Sequence, residues 1–152
     1  MKEEIQILEK ITGKKITKSR QHYIRMTLPE TYRRLAAAGI TEDYSMGYGS
    51  INGFRASYCF PYKWYDLQKE EPTSLIIFPF CYMDANCYYE QHYSPVEALN
   101  EMAYYFKITK EVNGLLITIW HNHFLGTDKM FEGWRGIYKP QSHSDTEEHR
   151  DF

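Results

Sequence analysis

The nine residues Leu115 to His123, LLITIWHNH, constrain the fold more than any other stretch of the chain. Leu, Ile, Thr and Trp in succession have the length and β-branched content of a strand buried on both faces, and such strands usually lie in parallel sheets flanked by helices. In α/β sheets, open or closed, ligands gather beyond the carboxyl ends of the strands. This strand ends on His121, Asn122 and His123. An imidazole placed there can exchange protons with a bound molecule. The alternative is that both imidazoles only satisfy loop backbone.

The remaining pattern supplies the elements around that strand. Lys2 to Thr12 puts Ile5, Leu8 and Ile11 on one stripe, with Glu3 and Glu4 in the first turn and Gly13 as the stop, and predicts a helix. Lys15 to Ser19 reads as a short polar strand leading into Arg20-Gln21-His22-Tyr23. Thr27-Leu28-Pro29-Glu30 has the grammar of a capping box with proline in the first turn, opening a helix that runs to Gly39. Ile40 to Met46 reads as a strand. The loop GYGSINGFRAS follows it through Ser57, and its glycines match neither a Walker phosphate loop nor the dinucleotide fingerprint.

Phe60 to Pro72 is aromatic and turn-rich, and Ser74 to Phe80 reads as a second strong strand in which Pro79 marks an edge or a bulge. Asp84 lies just past it. Ser94-Pro95-Val96-Glu97 is a second capping box, and Leu99, Met102, Ala103 and Phe106 form the apolar stripe of the helix it opens. After the LLITIWHNH strand, Thr127 or Asp128 caps a short helix with Phe131, Trp134 and Tyr138 on one face, ended by Pro140. Helices alternating with strands predict α/β architecture with crossover connections. One domain is expected over residues 1–140, and a disordered charged tail, whose His143 and His149 are set aside, over 141–152.

A chain of 152 residues buries roughly 70% of the surface its unfolded form exposes, enough for one core. The net charge is −2 and the basic residues are scattered, which gives nucleic acid no electrostatic footprint. Fourteen Tyr, eight Phe and three Trp make the chain aromatic-rich. Rings with polar tips suit the wall of a sugar-binding cleft, and they also fill half-buried sheet surfaces. Cys59, Cys81 and Cys87 are odd in number and lack zinc spacing, which argues against a disulfide framework and a structural zinc site and fits a reducing compartment. No apolar run approaches the roughly 20 residues of a membrane span, and the acidic start MKEEIQILEK is unlike a signal peptide. A cytoplasmic protein without a membrane partner is expected.

Several motifs carry a family resemblance: SRQHYIR (19–25), LPETYRRLAAAGI (28–40), DYSMGYG (43–49), GFRAS (53–57), the Met83-Asp84 pair and WHN (120–122). Over nearly all of residues 1–140 the chain resembles the polysaccharide deacetylase superfamily, and within it a Bacteroidetes-type group of deacetylase-like proteins. The resemblance implies a partial (β/α) barrel of polysaccharide deacetylase type, matching the carboxyl-terminal half only. It implies hydrolysis of N- or O-acetyl groups of sugars with a divalent metal, zinc above all. The Asp-Asp motif and the His-x-x-x-His ligands of that family lie ahead of the matching part and have no counterpart here, so no metal is expected on this chain by itself.

Carried over residue by residue, His121 matches the late-strand histidine that acts as general acid, a role suited to an ordinary pKa near 6.5. Arg20 matches the arginine that pairs with the catalytic aspartate, with Arg55 as a second candidate; a guanidinium is always charged and presents a fork to a carboxylate. Gln21-His22 departs from the common Arg-x-Pro pattern and leaves His22 as a metal-ligand replacement, a substrate contact or a structural residue. Tyr44, Asp84, Trp120 and Asn122 complete the expected substrate-binding set. Against the hydrolase stands a non-catalytic carbohydrate-binding or subunit-completing module. A half barrel leaves strand edges exposed, so self-association into a homo-oligomer is also expected.

Overall fold

The computed structural model describes residues 2–138, and these divide into two compact units, one comprising residues 2–49 and 54–80, the other 50–53 and 81–138. The expected tail at 141–152 and the stop at Pro140 lie outside the described residues. Both units combine helices with parallel strands, so the architecture is mixed α/β with small sheets.

The first unit opens with α1 (Lys2–Thr12), which has the predicted bounds and ends where Gly13 takes a left-handed conformation. β1 (Lys18–Ser19) pairs in parallel with β2 (Glu42–Asp43), and β2 in parallel with β4 (Glu71–Ile77). β3 (Tyr62–Asp66) closes the sheet antiparallel to β4, giving the order β1-β2-β4-β3. The β3–β4 hairpin is a strand pair that the aromatic content of 60–72 concealed. Its turn is held by Asp66, whose carboxylate takes Nε and Nη2 of Arg33 at 2.6 Å each and the Gln68 amide at 3.1 Å. That fork holds the Asp66 carboxyl below its ordinary range and ties the hairpin to α2 (Glu30–Ala37). The core of this unit is Tyr32, Leu35, Ile40, Met46, Leu75 and Ile77.

One local expectation fails. Thr27 does not cap α2 with its side chain: Pro29 is the N-cap, and the Thr27 amide donates to Thr31 Oγ1 at 2.9 Å. In the glycine loop, a Cβ on Gly47 would fall on the Phe80 ring, so close packing requires glycine there.

In the second unit β5 (Tyr82–Met83) and β6 (Thr118–Ile119) form a two-stranded parallel sheet, and α3 (Pro95–Glu111) makes the crossover between them. The Ser94 capping box forms as predicted: Ser94 Oγ accepts from the Glu97 amide, and the Glu97 carboxylate takes the Ser94 amide at 2.8 Å. The buried face of α3 carries Ala98, Met102 and Thr109, while Leu99 is 36% exposed, so the stripe is rotated by about one position from the predicted one. β6 is shorter than the LLITIWHNH pattern suggests and only Ile119 within 115–120 is fully buried, because β6 has a single two-residue neighbour rather than a covered sheet. The core is aromatic, with Tyr82, Phe124, Phe131 and Trp134 around Met102. The predicted single helix after Asp128 is a 3-10 turn, Lys129–Phe131, broken at Gly133 and resumed over 134–138.

Candidate functional site

β5 and β6 run in parallel, so their carboxyl ends point the same way, and each end delivers one ionisable side chain. β5 delivers Asp84 at the start of a helical turn that continues as the π-helical segment Asn86–Glu90; single π turns recur at functional sites. β6 delivers His121 two residues past Ile119. A tight turn then fixes the imidazole's backbone: the amides of Phe124 and Leu125 donate to the carbonyls of His121 and Asn122 at 3.1 Å. Phe124, fully buried, anchors that turn against Tyr88, Phe131 and Trp134.

The two side chains meet. Asp84 Oδ1 lies 2.5 Å from His121 Nδ1, and Asp84 Oδ2 accepts the His121 backbone amide at 2.6 Å. The Ala85 amide adds a third donor to Oδ1 at 2.7 Å. Asp84 has no exposed surface, whereas a third of the His121 side chain is exposed. Burial pushes the Asp84 carboxyl above its ordinary value, and the donors from His121 pull it back down. With Nδ1 held by the carboxylate, Nε2 is the nitrogen left uncommitted among the described residues. The arrangement is an oriented imidazole whose outer nitrogen can give or take a proton.

The flanking residues are mostly aromatic. Trp120 is half-buried between Tyr82 and Tyr138, each with its ring centroid at 5.6 Å, and donates Nε1–H to Thr118 Oγ1. Asn122 is exposed and its carbonyl closes the turn. The His123 ring lies 5.5 Å from that of His121 and 4.5 Å from Phe124. Among the described residues no three His, Cys, Asp or Glu side chains converge to hold an ion.

Arg20, His22, Tyr44 and Arg55 belong to the first unit. Arg20 and His22 are exposed, and they precede Tyr23 and Ile24, two consecutive non-glycine residues with φ near +55° (57° and 53°), a conformation that side chains tolerate poorly. Tyr44 donates to Glu42 Oε2 at 2.6 Å and stacks on Phe78 with centroids 4.7 Å apart. Arg55 is exposed, and its charge acts on Tyr32 at the edge of a buried group that sequence reading passed over, Asp43. Asp43 ends β2, is fully buried and has its carboxyl pushed up by burial. The available signal was an acid within the apolar-bounded stretch Ile40 to Met46.

A search of protein-family models, curated proteins and solved structures finds no match to this chain.

Proposed function

We propose that the chain carries the proton-donating part of a carbohydrate deacetylase-like hydrolase acting on N- or O-acetyl groups of sugars, with His121 as general acid and Asp84 as the carboxylate that orients it. The supporting observation is the 2.5 Å contact between His121 Nδ1 and a fully buried Asp84 at the carboxyl ends of two parallel strands. Deacetylation breaks a C–N or C–O bond, and the departing amine or alcohol needs a proton as that bond breaks. Asp84 keeps Nδ1 protonated and turns Nε2 outward, so the protonated imidazole offers its Nε2 proton to the leaving group. General acid catalysis of this kind contributes about 10²–10⁴-fold in rate.

The fold belonging to this reading is the carboxyl-terminal half of a (β/α) barrel. A metal, zinc in the family the chain resembles, would activate the attacking water; among the described residues no group of three His, Cys, Asp or Glu side chains converges to hold it. Trp120, with Asn122 beside it, would face the sugar. Arg20, Arg55, His22 and Tyr44 lie in the first unit, and the roles expected of them form no part of this reading.

The half-buried Trp120 ring, seated between two tyrosines next to His121, favours a second reading: a non-catalytic carbohydrate-binding module. Two measurements separate them. Acetate release from acetylated chito- or xylo-oligosaccharides is expected when the chain is joined to the upstream strands of such a barrel, falling about 100-fold or more in His121→Ala. Activity that survives His121→Ala overturns the assignment. Tryptophan fluorescence of the chain alone, titrated with amino sugars, tests the module; saturable binding without hydrolysis by the joined protein would favour it.

A further inference from the structure

Helix α1 is amphipathic yet buries none of its residues completely, and Ile7, Leu8 and Ile11 are 58%, 47% and 75% exposed. An apolar stripe normally turns toward a core, and three large aliphatic side chains together within two turns form a contact surface rather than scattered apolar residues. Beside the helix lies a groove of about 900 Å³ bounded by α1, β1 and α2. β1 is the outer strand of its sheet, so the groove follows an open sheet edge. Its floor includes Ile16, Leu35 and Ile40, and Arg20, Arg25 and Arg34 line it. Among the described residues neither Arg20 nor Arg25 has a carboxylate partner.

We propose that this face is a homodimer interface, in which the α1 helices of two copies pack side by side and each reaches over the groove of the other. Ile7, Leu8 and Ile11 cover aliphatic surface on the second copy, and Glu3, in the acidic first turn of α1, meets the partner's Arg25. One face carries Glu3 and the exposed Ile7, Leu8 and Ile11 of α1 together with a groove that Ile7 and Leu8 help to line and whose arginines are Arg20, Arg25 and Arg34. It is therefore complementary to itself, as a two-fold contact between identical chains requires. An apolar ligand without charge would leave the arginines unanswered, and a short anion would leave the three aliphatic side chains of α1 in water. A second copy answers both. The inference uses the first unit only and stands apart from the hydrolase reading.

Sedimentation equilibrium of the full chain over a wide concentration range, at low and at high salt, is expected to show a monomer–dimer equilibrium that weakens with salt. Ile7→Lys with Ile11→Lys changes exposed positions, so circular dichroism should stay as in the wild type while the dissociation constant rises about tenfold or more. Arg25→Glu and Glu3→Arg should each weaken self-association by placing like charges across the contact. Mixed in equal amounts, the two should dimerise with each other, because both cross-contacts then pair opposite charges. A monomer at every concentration overturns the proposal, including one that instead binds an acidic amphipathic peptide. So does a dimer indifferent to the Ile7 and Ile11 changes, or a mixture of the two charge variants that fails to associate.

Discussion

Asp43 and Asp84 make a controlled comparison between the two units. Each is fully buried, each sits at the end of a short parallel strand, and each has its carboxyl raised by burial. Their partners differ. Asp43 takes the amide and hydroxyl of Ser45, two residues on, both at 2.9 Å. Asp84 takes both the amide and the ring of His121, 37 residues on. The first carboxylate faces Ser45 and the buried Tyr32, neither of which titrates near neutral pH, whereas the second passes its influence to an imidazole that reaches solvent. Burial and strand-end position are therefore not what distinguishes a functional acid here. The distinction lies in whether the group that neutralises the acid can itself do chemistry.

The contrast predicts unequal responses to substitution. Asp84→Ala leaves the amides of His121 and Ala85 and the His121 Nδ1 without their acceptor inside the protein, and should cost about 3 kcal/mol in a urea titration, at about 1 kcal/mol for each orphaned donor. His121→Gln removes the charge-assisted bond from the same carboxylate and should cost about 1.5–3 kcal/mol. In that variant the Asp84 carboxyl, followed by carbon NMR, should titrate at higher pH than in the wild type, because His121 supplies the donors that hold it down. Asp43 should titrate unchanged. Ser45→Ala deletes the hydroxyl that donates to Asp43 and accepts the Gln21 amide, and should cost about 1–2 kcal/mol. If it costs as much as Asp84→Ala, the two carboxylates are equivalent and the contrast is broken.

The smallest expected effect is a pH slope. A carboxyl raised in the folded state binds its proton more tightly there than in the unfolded chain, where Asp titrates near 3.9. Its stabilising contribution is complete below that value and is lost as pH rises through the folded one. Asp43→Asn should therefore lose less stability than the wild type as pH rises above about 4. Parallel pH curves for the two proteins would show that burial does not raise the Asp43 carboxyl.

Much of the local structure was legible in the residues. The 3.6-residue stripe and Gly13 placed α1, and Ser94 to Glu97 placed the start of α3, because capping and periodicity act over a few residues and leave their mark in order along the chain. The α/β alternation and the parallel pairing followed from the same cues. His121, Asp84 and Trp120 were each identifiable as candidates. That Asp84 lies beneath His121 rather than in contact with the surroundings was not, since nothing in a span of 37 residues records which side chains will meet.

The misreadings share a cause. Thr27-Leu28-Pro29-Glu30 satisfies the capping-box pattern, but α2 begins with Pro29 as its N-cap and the Thr27 amide is taken by Thr31 Oγ1. Aromatic residues 60–66 hid a strand, because Tyr and Trp at β3 pack on a hairpin whose partner, β4, is known only once the sheet forms. LLITIWHNH predicted a covered strand, and pairing with β5 alone left most of it partly exposed.

By itself the sequence determined where helices begin, which stretches can pair as strands, and which ionisable residues follow them. Those depend on neighbours within a turn or two. Tertiary structure decided which of two buried aspartates would face an imidazole, which face of α3 would be covered, and that Ile7, Leu8 and Ile11 of α1 would stay on the surface while Ile5 packs inward. Those outcomes depend on close packing and on hydrogen bonds between distant segments, whose energies exist only once the chain has brought them together.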